Sequence, residues 1–364
     1  MSDKSQNRPS VALVSGFGAQ NIGNVFFNVG GLHVLREVFP ERNVQFIQDQ
    51  PGYWTFNRAR QNHRNYCNLL SRLDVDYIVL QGPVFSATLP KLWDYTLGEL
   101  YKKGTKVIYL SSALFKYTPE EIEITKRFLE KYPPAFISTR DARSYEVLKD
   151  LHGNVYKGIC SAWFVPDVYD PVPMDMGKFA VMNFDRMPEP NISVLGNTGV
   201  GGNGADSFEF DDKTWNIDWP SLQRKLSVRG KASAYIGAFL DFRKLPAELG
   251  GYPLIRTEHR TNPHFSWKIY GQPGGLASDE PYTYFSVYGN SALTLSDRVH
   301  ACVMTLAYGN PAMLFSLSPR SALFDRLGLD DIRNRPVTLD LDYLEQEKGD
   351  LITALQGFVK SNGL

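Results

Sequence analysis

SALTLSDRVHACVMTLAYGNPAMLF, residues 291–315, contains the pattern of a strand, a helix and a second strand in one continuous run. Residues 292–295 form an apolar run typical of a buried strand, and residues 297–308 carry apolar side chains at helical spacing. Ser296 is in the position of an N-cap, and Gly309-Asn310-Pro311 is a helix stop. Residues 312–316 predict a second strand. The stretch therefore predicts a β–α–β unit of a parallel sheet.

The same alternation runs through the first half of the chain. It predicts strands at 11–15, 44–47, 77–80, 106–110 and 135–138, and helices at 25–39, 93–102, 118–130 and 142–149. Thr118 followed by Pro119 and two acids is a strong helix start. The strand 77–80, closed by Gly82, is apolar throughout, which is typical of a parallel sheet covered on both faces.

A second α/β half is predicted after a proline-rich linker at 166–173. Its strands are expected at 179–183 and 253–257 as well as in the opening stretch, with helix between 219 and 244. We expect a Rossmann-like domain over residues 1–170, another over 171–340, and a closing amphipathic helix in 341–364, since 364 residues suit two domains. The region 188–212, rich in Gly, Asn and Pro, predicts a surface loop, because it lacks the lysine of a phosphate-binding P-loop.

The amino-acid composition argues against several classes of function and of binding site. Lys+Arg and Asp+Glu both number 39, and this balance argues against general nucleic-acid binding, although a local basic pocket remains open. Three cysteines, Cys67, Cys160 and Cys302, form no CxxC pair, and the histidines show no ligand spacing, so no metal is expected. The sequence shows neither a signal-type apolar run nor an apolar stretch of about 18 residues, which indicates a cytoplasmic protein.

Polar residues at the carboxyl ends of strands are the candidates for a site, because ligands bind there in open α/β sheets. Arg298 and His300 lie in the predicted first turn after the strand 292–295, where helix N–H groups attract anions. Arginine can hold a carboxylate or phosphate through two hydrogen bonds, and histidine can donate a proton near neutral pH. The alternative is that Arg298 pairs with a carboxylate and His300 is a packed helix residue.

Three further segments follow predicted strands. Arg140 and Asp141 precede a helix, where Asp141 is either a functional carboxylate or a helix cap. Glycines at 16, 18 and 23 permit close approach of a ligand but do not make a GxGxxG motif, so a turn is an equal alternative. A basic cluster, which consists of Arg256, His259, Arg260 and His264, could hold phosphate or lie in a solvated loop.

Four of these segments together resemble the polysaccharide pyruvyl transferase family. Its members carry Asn-x-Gly-Asp, Arg-Asp-x-x-Ser, Pro-Asp and Arg-Leu-His-Ala motifs in this order. The corresponding residues here are Asn21-Ile22-Gly23-Asn24, Arg140-Asp141-Ala142-Arg143-Ser144, Pro166-Asp167 and Arg298-Val299-His300-Ala301. The sequence departs from the family pattern at Asn24, at Val299 and at Gln81-Gly82-Pro83, which stands where a glycine-rich turn is expected.

The resemblance implies a GT-B-like α/β fold in which two Rossmann-like domains with parallel sheets face each other across a cleft. It implies phosphoenolpyruvate as co-substrate, no bound cofactor, and a sugar or glycan diol as acceptor, which becomes a pyruvate ketal as phosphate leaves. A lipid-linked acceptor would bring the protein to the inner face of the membrane. In the family, Arg and His of the Arg-Leu-His motif bind phosphoenolpyruvate, which carries over to Arg298 and His300.

The roles expected from these residues can be stated one by one. The donor side would include Ser296, Val299 and Arg256 beside Arg298 and His300, and His300 is the candidate general acid. The acceptor side would include Asn21, Gly23, Asn24 and Arg140. Either Asp141 or Asp297 could accept a hydroxyl proton. Two other functions fit the same fold, namely a glycosyltransferase that uses a nucleotide sugar and a non-catalytic binding protein.

Overall fold

The computed structural model describes residues 9–16, 21–47, 68–151, 153–185, 187–196, 207–221, 233, 236, 241, 243–260, 269–316 and 318–361. Cys67, Gly18 and His264 lie outside these residues. So do most of the glycine-rich stretch 196–206 and most of the helix predicted between 219 and 244. Cys160 and Cys302 are both buried free thiols.

The first half contains a six-stranded parallel sheet in the order β2-β1-β3-β4-β5-β6. Its strands are β1 Pro9–Val14, β2 Asn43–Ile47, β3 Tyr77–Phe85, β4 Lys106–Leu114, β5 Phe136–Thr139 and β6 Val155–Lys157. Its helices are α1 Gly23–Val38, α2 Leu89–Lys102, α3 Pro119–Lys131 and α4 Ala142–Leu148. Thr118 caps α3 by accepting the Glu121 N–H, as the sequence predicts.

The strand β3 does not end at Gly82, contrary to the prediction. Gly82 has a φ of +76°, and the pairing of β3 with β4 shifts register there before both strands continue. Glycine tolerates this backbone conformation, whereas a Cβ at this position would also lie 3.0 Å from the ring of Phe27. Gly82 therefore makes a bulge inside the strand, and the strand runs three residues further to Phe85.

The second half contains another parallel sheet, in the order β11-β12-β7-β14-β15, with β13 beside β12 and only β11 antiparallel. Its strands are β7 Ala180–Asn183, β11 Glu248–Leu249, β12 Tyr252–Thr257, β13 Gly275–Leu276, β14 Leu293–Ser296 and β15 Ala312–Leu314. Its helices are α5 Tyr282–Asn290 and α6 Val299–Ala307. The β–α–β unit of residues 291–315 is thus present as β14, α6 and β15.

The region 188–212 is not simply a loop, so that prediction was wrong. Residues Asn191–Gly196 (β8) and Ser207–Phe210 (β9) pair on either side of Lys213–Asp218 (β10) as a three-stranded antiparallel sheet. Trp215 and Phe208 are buried and pack against the second parallel sheet. The high Gly and Asn content masked a period-two pattern of apolar side chains, and the tertiary contact of Trp215 supplies the stability that local propensity lacks.

One apolar core joins the two halves. It extends from α1 and the 3₁₀ segment Ser161–Asp167 to α5 and α6. The last helix, α7 Leu341–Ser361, packs back onto the first half. Its Phe358 ring lies 5.3 Å from that of Phe136 on β5, and its Lys348 pairs with Asp167 at 2.7 Å.

Each parallel sheet reverses its strand order at one point. In the first sheet this switch point lies between β1 and β3, and in the second it lies between β7 and β14. Loops diverge at a switch point and leave a crevice at the carboxyl ends of the strands. Both crevices open into the same cleft, whose lining includes residues of both halves. The predicted GT-B-like fold is confirmed.

Gly30 offers a test of how closely α1 packs on the segment Ser161–Asp167. A Cβ at Gly30 would lie 1.8 Å from the backbone oxygen of Ser161, so Gly30→Ala is expected to lower the free energy of unfolding by about 1–3 kcal/mol. Gly349 in α7 is the matched control, since nothing lies within 4 Å of its Cβ position and alanine there should raise stability by about 0.5–1 kcal/mol. Urea unfolding of both variants makes the comparison, and equal stabilities would contradict this packing.

Candidate functional site

The cleft between the halves contains a pocket that is open to solvent and has a cavity volume of about 30 Å³. Its position at both switch points follows from the topology described above. The residues that line it come from β3 itself and from the segments that follow β1, β5, β12, β14 and β15, including the first turns of α1 and α6. They are Asn21, Asn24, Pro83, Arg140, His259, Asp297, Arg298, Val299, His300, Ser316, Ser318 and Arg320.

The helix that presents Arg298 and His300 begins later than predicted. Helix α6 starts at Val299, with Arg298 in extended conformation at its N-cap. Ser296 is the last residue of β14, and its hydroxyl accepts the Arg298 N–H at 2.8 Å. A guanidinium cannot accept a hydrogen bond, so α6 has no side-chain cap, and its first two residues, Val299 and His300, line the pocket.

Arg298 reaches from the second half to the first. Its Nη2 donates to Asn21 Oδ1 at 2.6 Å, and its Nε lies 3.3 Å from the carboxylate of Asp185. Asp185 follows β7, at the switch point of the second sheet. Arg298 therefore does pair with a carboxylate, as one of the two interpretations of the sequence proposed. The guanidinium still faces the cleft, where its remaining N–H groups can hold an anion.

The loop with Asn21, Gly23 and Asn24 docks onto the second half. Ile22 N–H donates to the backbone oxygen of His259 at 2.8 Å, and Asn21 Nδ2 donates to Asn24 Oδ1 at 3.0 Å. Gly23 begins α1 close to two histidines of the second half. A Cβ there would lie 3.2 Å from the Cβ of His300 and 3.3 Å from His259 Nδ1. Glycine at position 23 thus lets the loop approach both histidines.

His300 is a half-buried imidazole that lines this pocket. Burial lowers its pKa well below the usual value for histidine, and the charges of Arg140 and Arg320 act in the same direction. Its Nε2 lies 3.8 Å from the Cys160 thiol, and its ring lies 5.5 Å from that of Phe27. These surroundings therefore favour the neutral imidazole of His300 over the imidazolium.

Arg140 and Asp141 are adjacent in sequence but lie in different surroundings. Arg140 lines the pocket, is 2% exposed, and its Nε has no hydrogen-bond partner among the described residues. Asp141 caps α4 by accepting the Ser144 N–H at 2.6 Å, and it accepts the Tyr117 hydroxyl at 2.9 Å. Asp141 thus has the surroundings of a helix cap.

Arg256 and Asp297 also hold structural partners. Arg256 makes a two-fold hydrogen bond with Glu189, at 2.9 and 2.8 Å, and donates to the Pro273 oxygen. It does not line the pocket. Asp297 lines the pocket, but its carboxylate accepts the backbone N–H groups of Met187 at 2.6 Å and Asp185 at 3.2 Å.

The structure adds two residues to the predicted site. Arg320 follows β15, and the strand-end rule would have selected it had the rule been applied to the last strand. His259 belongs to the predicted basic cluster, yet sequence alone does not separate it from Arg256, which points elsewhere. His259 is fully buried, and burial together with the charge of Arg298 lowers its pKa well below the usual value.

The pocket combines three arginines, two histidines and an uncapped helix N-terminus. Its carboxylate at Asp297 is occupied by backbone N–H groups, and Asp185 offsets one arginine, so the balance is positive. The charge and the N–H donors of such a pocket are suited to a small anion with several negative charges. No cluster of three or more His, Cys, Asp or Glu side chains that could hold a metal occurs among the described residues. Within the described part of the chain, no helix is long and apolar enough to cross a membrane.

Fold and site together define a GT-B-like α/β protein with a positively charged pocket in its cleft. The chain belongs to the polysaccharide pyruvyl transferase family, whose model matches residues 21–319. It is therefore a transferase of polysaccharide biosynthesis. Among curated proteins, no sequence match is significant.

Several solved structures show distant similarity. UDP-GlcNAc 2-epimerase from Methanocaldococcus jannaschii, in complex with UDP-GlcNAc and UDP, is 11% identical, with 94% of this chain and 92% of that chain covered and a TM-score of 0.45. UDP-GlcNAc 2-epimerase from Neisseria meningitidis, bound to UDP-GlcNAc, is 10% identical, with 95% and 94% covered and a TM-score of 0.44.

The lowered pKa values of His300 and His259 predict how stability depends on pH. The unfolded chain takes up protons at both residues below about pH 6.5, whereas the folded chain does not, so the free energy of unfolding should fall as pH falls from 7 to 5. His300→Gln should reduce this slope by up to about 1.4 kcal/mol per pH unit. Urea unfolding at a series of pH values measures it, with pH 8 as the baseline for packing effects. An unchanged slope would mean that His300 is accessible to protons.

Proposed function

We propose that this protein transfers the enolpyruvyl group of phosphoenolpyruvate to two hydroxyls of a sugar, giving a pyruvate ketal and free phosphate. The observation that carries the proposal is the positive pocket of Arg140, Arg298 and Arg320 at the uncapped N-terminus of α6. Phosphoenolpyruvate carries a carboxylate and a phosphate on one small frame. The pocket offers enough cationic and N–H donors for both groups.

Arg298 is the proposed clamp for the donor. Asn21 and Asp185 hold its Nη2 and Nε, and this fixes the plane of the guanidinium before a ligand arrives. Nη1 and the second Nη2 proton remain for a carboxylate or phosphate. A pre-oriented arginine loses less side-chain entropy on binding than a mobile one. Arg140 and Arg320 would meet the other anionic group, and the amides of Val299 and His300 would add the field of the helix N-terminus.

His300 is the proposed general acid that protonates the methylene carbon of the donor. In the free pocket its pKa is low, because it is buried among positive charges. The bound donor brings negative charge to the same place, which raises the pKa of His300 and lets it take up a proton. Binding of the donor would thus be coupled to protonation of His300.

The acceptor would enter from the first half of the cleft. Asn21 and Asn24 line that side next to Gly23, and Arg140 lines the same pocket. Asn24 replaces the acid of the family motif and contributes an amide, which can donate to and accept from sugar hydroxyls. A sugar or glycan diol, free or lipid-linked, is the proposed acceptor, and the proposed location is the cytoplasm, at the membrane face if the acceptor is lipid-linked.

Two other functions are distinguished by what the cleft binds. A glycosyltransferase would bind a nucleotide sugar, which needs an acidic partner for the ribose. The carboxylates of Asp297 and Asp141 are both occupied by structural hydrogen bonds. A non-catalytic protein of the same fold would bind an anion without turnover.

Calorimetric titration with phosphoenolpyruvate tests the clamp. Wild type is expected to bind phosphoenolpyruvate and not to bind any of a panel of nucleotide sugars. Arg298→Ala should lower the affinity for phosphoenolpyruvate by about 10- to 100-fold, because a hydrogen bond to a charged group is worth about 1.5–3 kcal/mol. Arg335→Ala is the matched control, since Arg335 is 65% exposed and pairs only along the chain surface with Asp331. Unchanged affinity in Arg298→Ala would exclude the clamp, and nucleotide-sugar binding would favour the glycosyltransferase.

Phosphate release from phosphoenolpyruvate, with a panel of methyl pyranosides as acceptors, tests the acid. His300→Ala should lower kcat by roughly 100- to 10,000-fold, because positioned proton transfer contributes that much to a rate. Donor binding, measured by calorimetry on the same variant, separates loss of the acid from loss of the site. Wild-type turnover in His300→Ala would contradict the assignment.

A further inference from the structure

The two carboxylates expected to accept a hydroxyl proton are poorly suited to do so. Asp141 accepts the Ser144 N–H and the Tyr117 hydroxyl, and Asp297 accepts two backbone N–H groups. Hydrogen bonds to the charged form of a carboxylate stabilise that form and weaken it as a base. The acceptor hydroxyls therefore need another group in the cleft.

His259 has a ring nitrogen that is available. Its Nδ1 is buried and has no hydrogen-bond partner among the described residues, although His259 lines the pocket. Nδ1 faces the start of α1, because the Cβ position of Gly23 is 3.3 Å from it and also 3.3 Å from Asn21 Oδ1. It thus lies on the acceptor side of the cleft, close to the amide that Arg298 contacts. Buried polar atoms without a partner are rare in folded proteins, and a catalytic role is one of the reasons for which they occur.

The other ring nitrogen is fixed by a hydrogen-bonded chain. His259 Nε2 lies 2.6 Å from the Tyr288 hydroxyl, which lies 2.9 Å from Thr257 Oγ1. Burial raises the pKa of Tyr288 well above its usual value, so it keeps its proton. If Tyr288 donates to Thr257, it accepts from Nε2–H, and Nδ1 carries a lone pair. The nearby charge of Arg298 favours this tautomer, because a lone pair beside a guanidinium is attracted and an N–H is repelled.

We propose that His259 is the general base of the reaction, taking the proton of the acceptor hydroxyl at Nδ1. This inference rests on the proposed function and assigns the two imidazoles of the pocket to opposite tasks. His300 gives a proton to the donor, and His259 receives one from the acceptor. Tyr288 and Thr257 are positioning residues that keep the lone pair of His259 directed at the cleft.

The proton transfers balance over the whole reaction. His300 protonates the methylene carbon to a methyl group, and the first hydroxyl oxygen bonds to C2 as its proton moves to His259 Nδ1. The C2–O bond to phosphate then breaks with its electron pair on phosphate, which takes the proton from His259. The second hydroxyl closes the ketal and gives its proton to His259. This proton then passes to His300 and restores its protonated form. Phosphoenolpyruvate and a diol thus yield a ketal and hydrogen phosphate, and no oxidant or reductant is needed.

The groups that face His259 decide whether its base form exists. Tyr284 and Tyr288 contact its ring from α5, and the ring of Phe26 contacts it from α1. Asp185 accepts its backbone N–H, and Arg298 and His300 lie at the start of α6. Burial is the largest influence and Arg298 the next, and both hold the ring neutral. The lone pair at Nδ1 is therefore present at neutral pH.

Long-range ¹H–¹⁵N correlation spectra of the full chain labelled at histidine test the tautomer directly. His259 is identified by the signals that disappear in His259→Asn. We expect Nε2 to be protonated and Nδ1 to show the shift of an unprotonated ring nitrogen between pH 6.5 and 8, with and without phosphoenolpyruvate. A protonated Nδ1, as the other tautomer or as imidazolium, would overturn the proposal. The free protein gives this answer even if phosphoenolpyruvate does not bind, which would defeat the proposed function instead.

Kinetics of His259→Asn then separate a base from a structural residue. Phosphate release with the methyl pyranoside panel should fall roughly 100-fold or more in kcat, while affinity for phosphoenolpyruvate stays at the wild-type value. Tyr288→Phe should give a smaller loss and allow both tautomers in the spectra. Wild-type kcat in a folded His259→Asn variant would refute the assignment, and if that variant does not fold, the spectra of wild type and Tyr288→Phe decide.

Discussion

The guanidinium of Arg298 is the interaction on which the cleft depends. A buried cation is costly unless polar groups meet it, and Arg298 is only 6% exposed. Asp185 supplies the charge from the same half, and Asn21 supplies the amide oxygen from the other. Loss of either would leave a buried group without its partner, so the two halves are held in one relation at this point. The loop of Asn21 and the start of α6 are positioned by the same contact.

The positive charge of the cleft arises because the nearby carboxylates bind other groups of the protein. Asp141 and Asp297 stabilise helix and loop backbone, and Glu189 pairs with Arg256 away from the pocket. Arg140 and Arg320 remain in the pocket. Their charges and burial lower the pKa of His300, and burial and the charge of Arg298 lower the pKa of His259. The pocket therefore carries net positive charge even though several carboxylates lie near it.

The sequence predicted the alternation of strands and helices well, because apolar periodicity and caps such as Thr118 are local signals. It also placed Arg298, His300, Arg140 and Asn21 at strand ends, and the structure brings these four to one cleft. It could not predict that Arg256 turns to Glu189, since a basic residue after a strand has the same local pattern in either case. The start of α6 was also misplaced, because the Ser296 hydroxyl bonds the Arg298 N–H at a strand end rather than capping a helix. The antiparallel sheet of β8, β9 and β10 depends on the packing of Trp215 against the second parallel sheet. This contact is distant in sequence, so no local pattern predicts it.

The return of α7 to the first half has a consequence for how the protein forms during synthesis. Phe358 packs on Phe136 of β5, and Gln356 donates to the Glu37 oxygen at the end of α1. The apolar surface beneath α7 therefore has no cover until the ribosome has made the whole second half. Until then that surface is exposed in the emerging chain, where it is open to chaperones and to other unfinished chains.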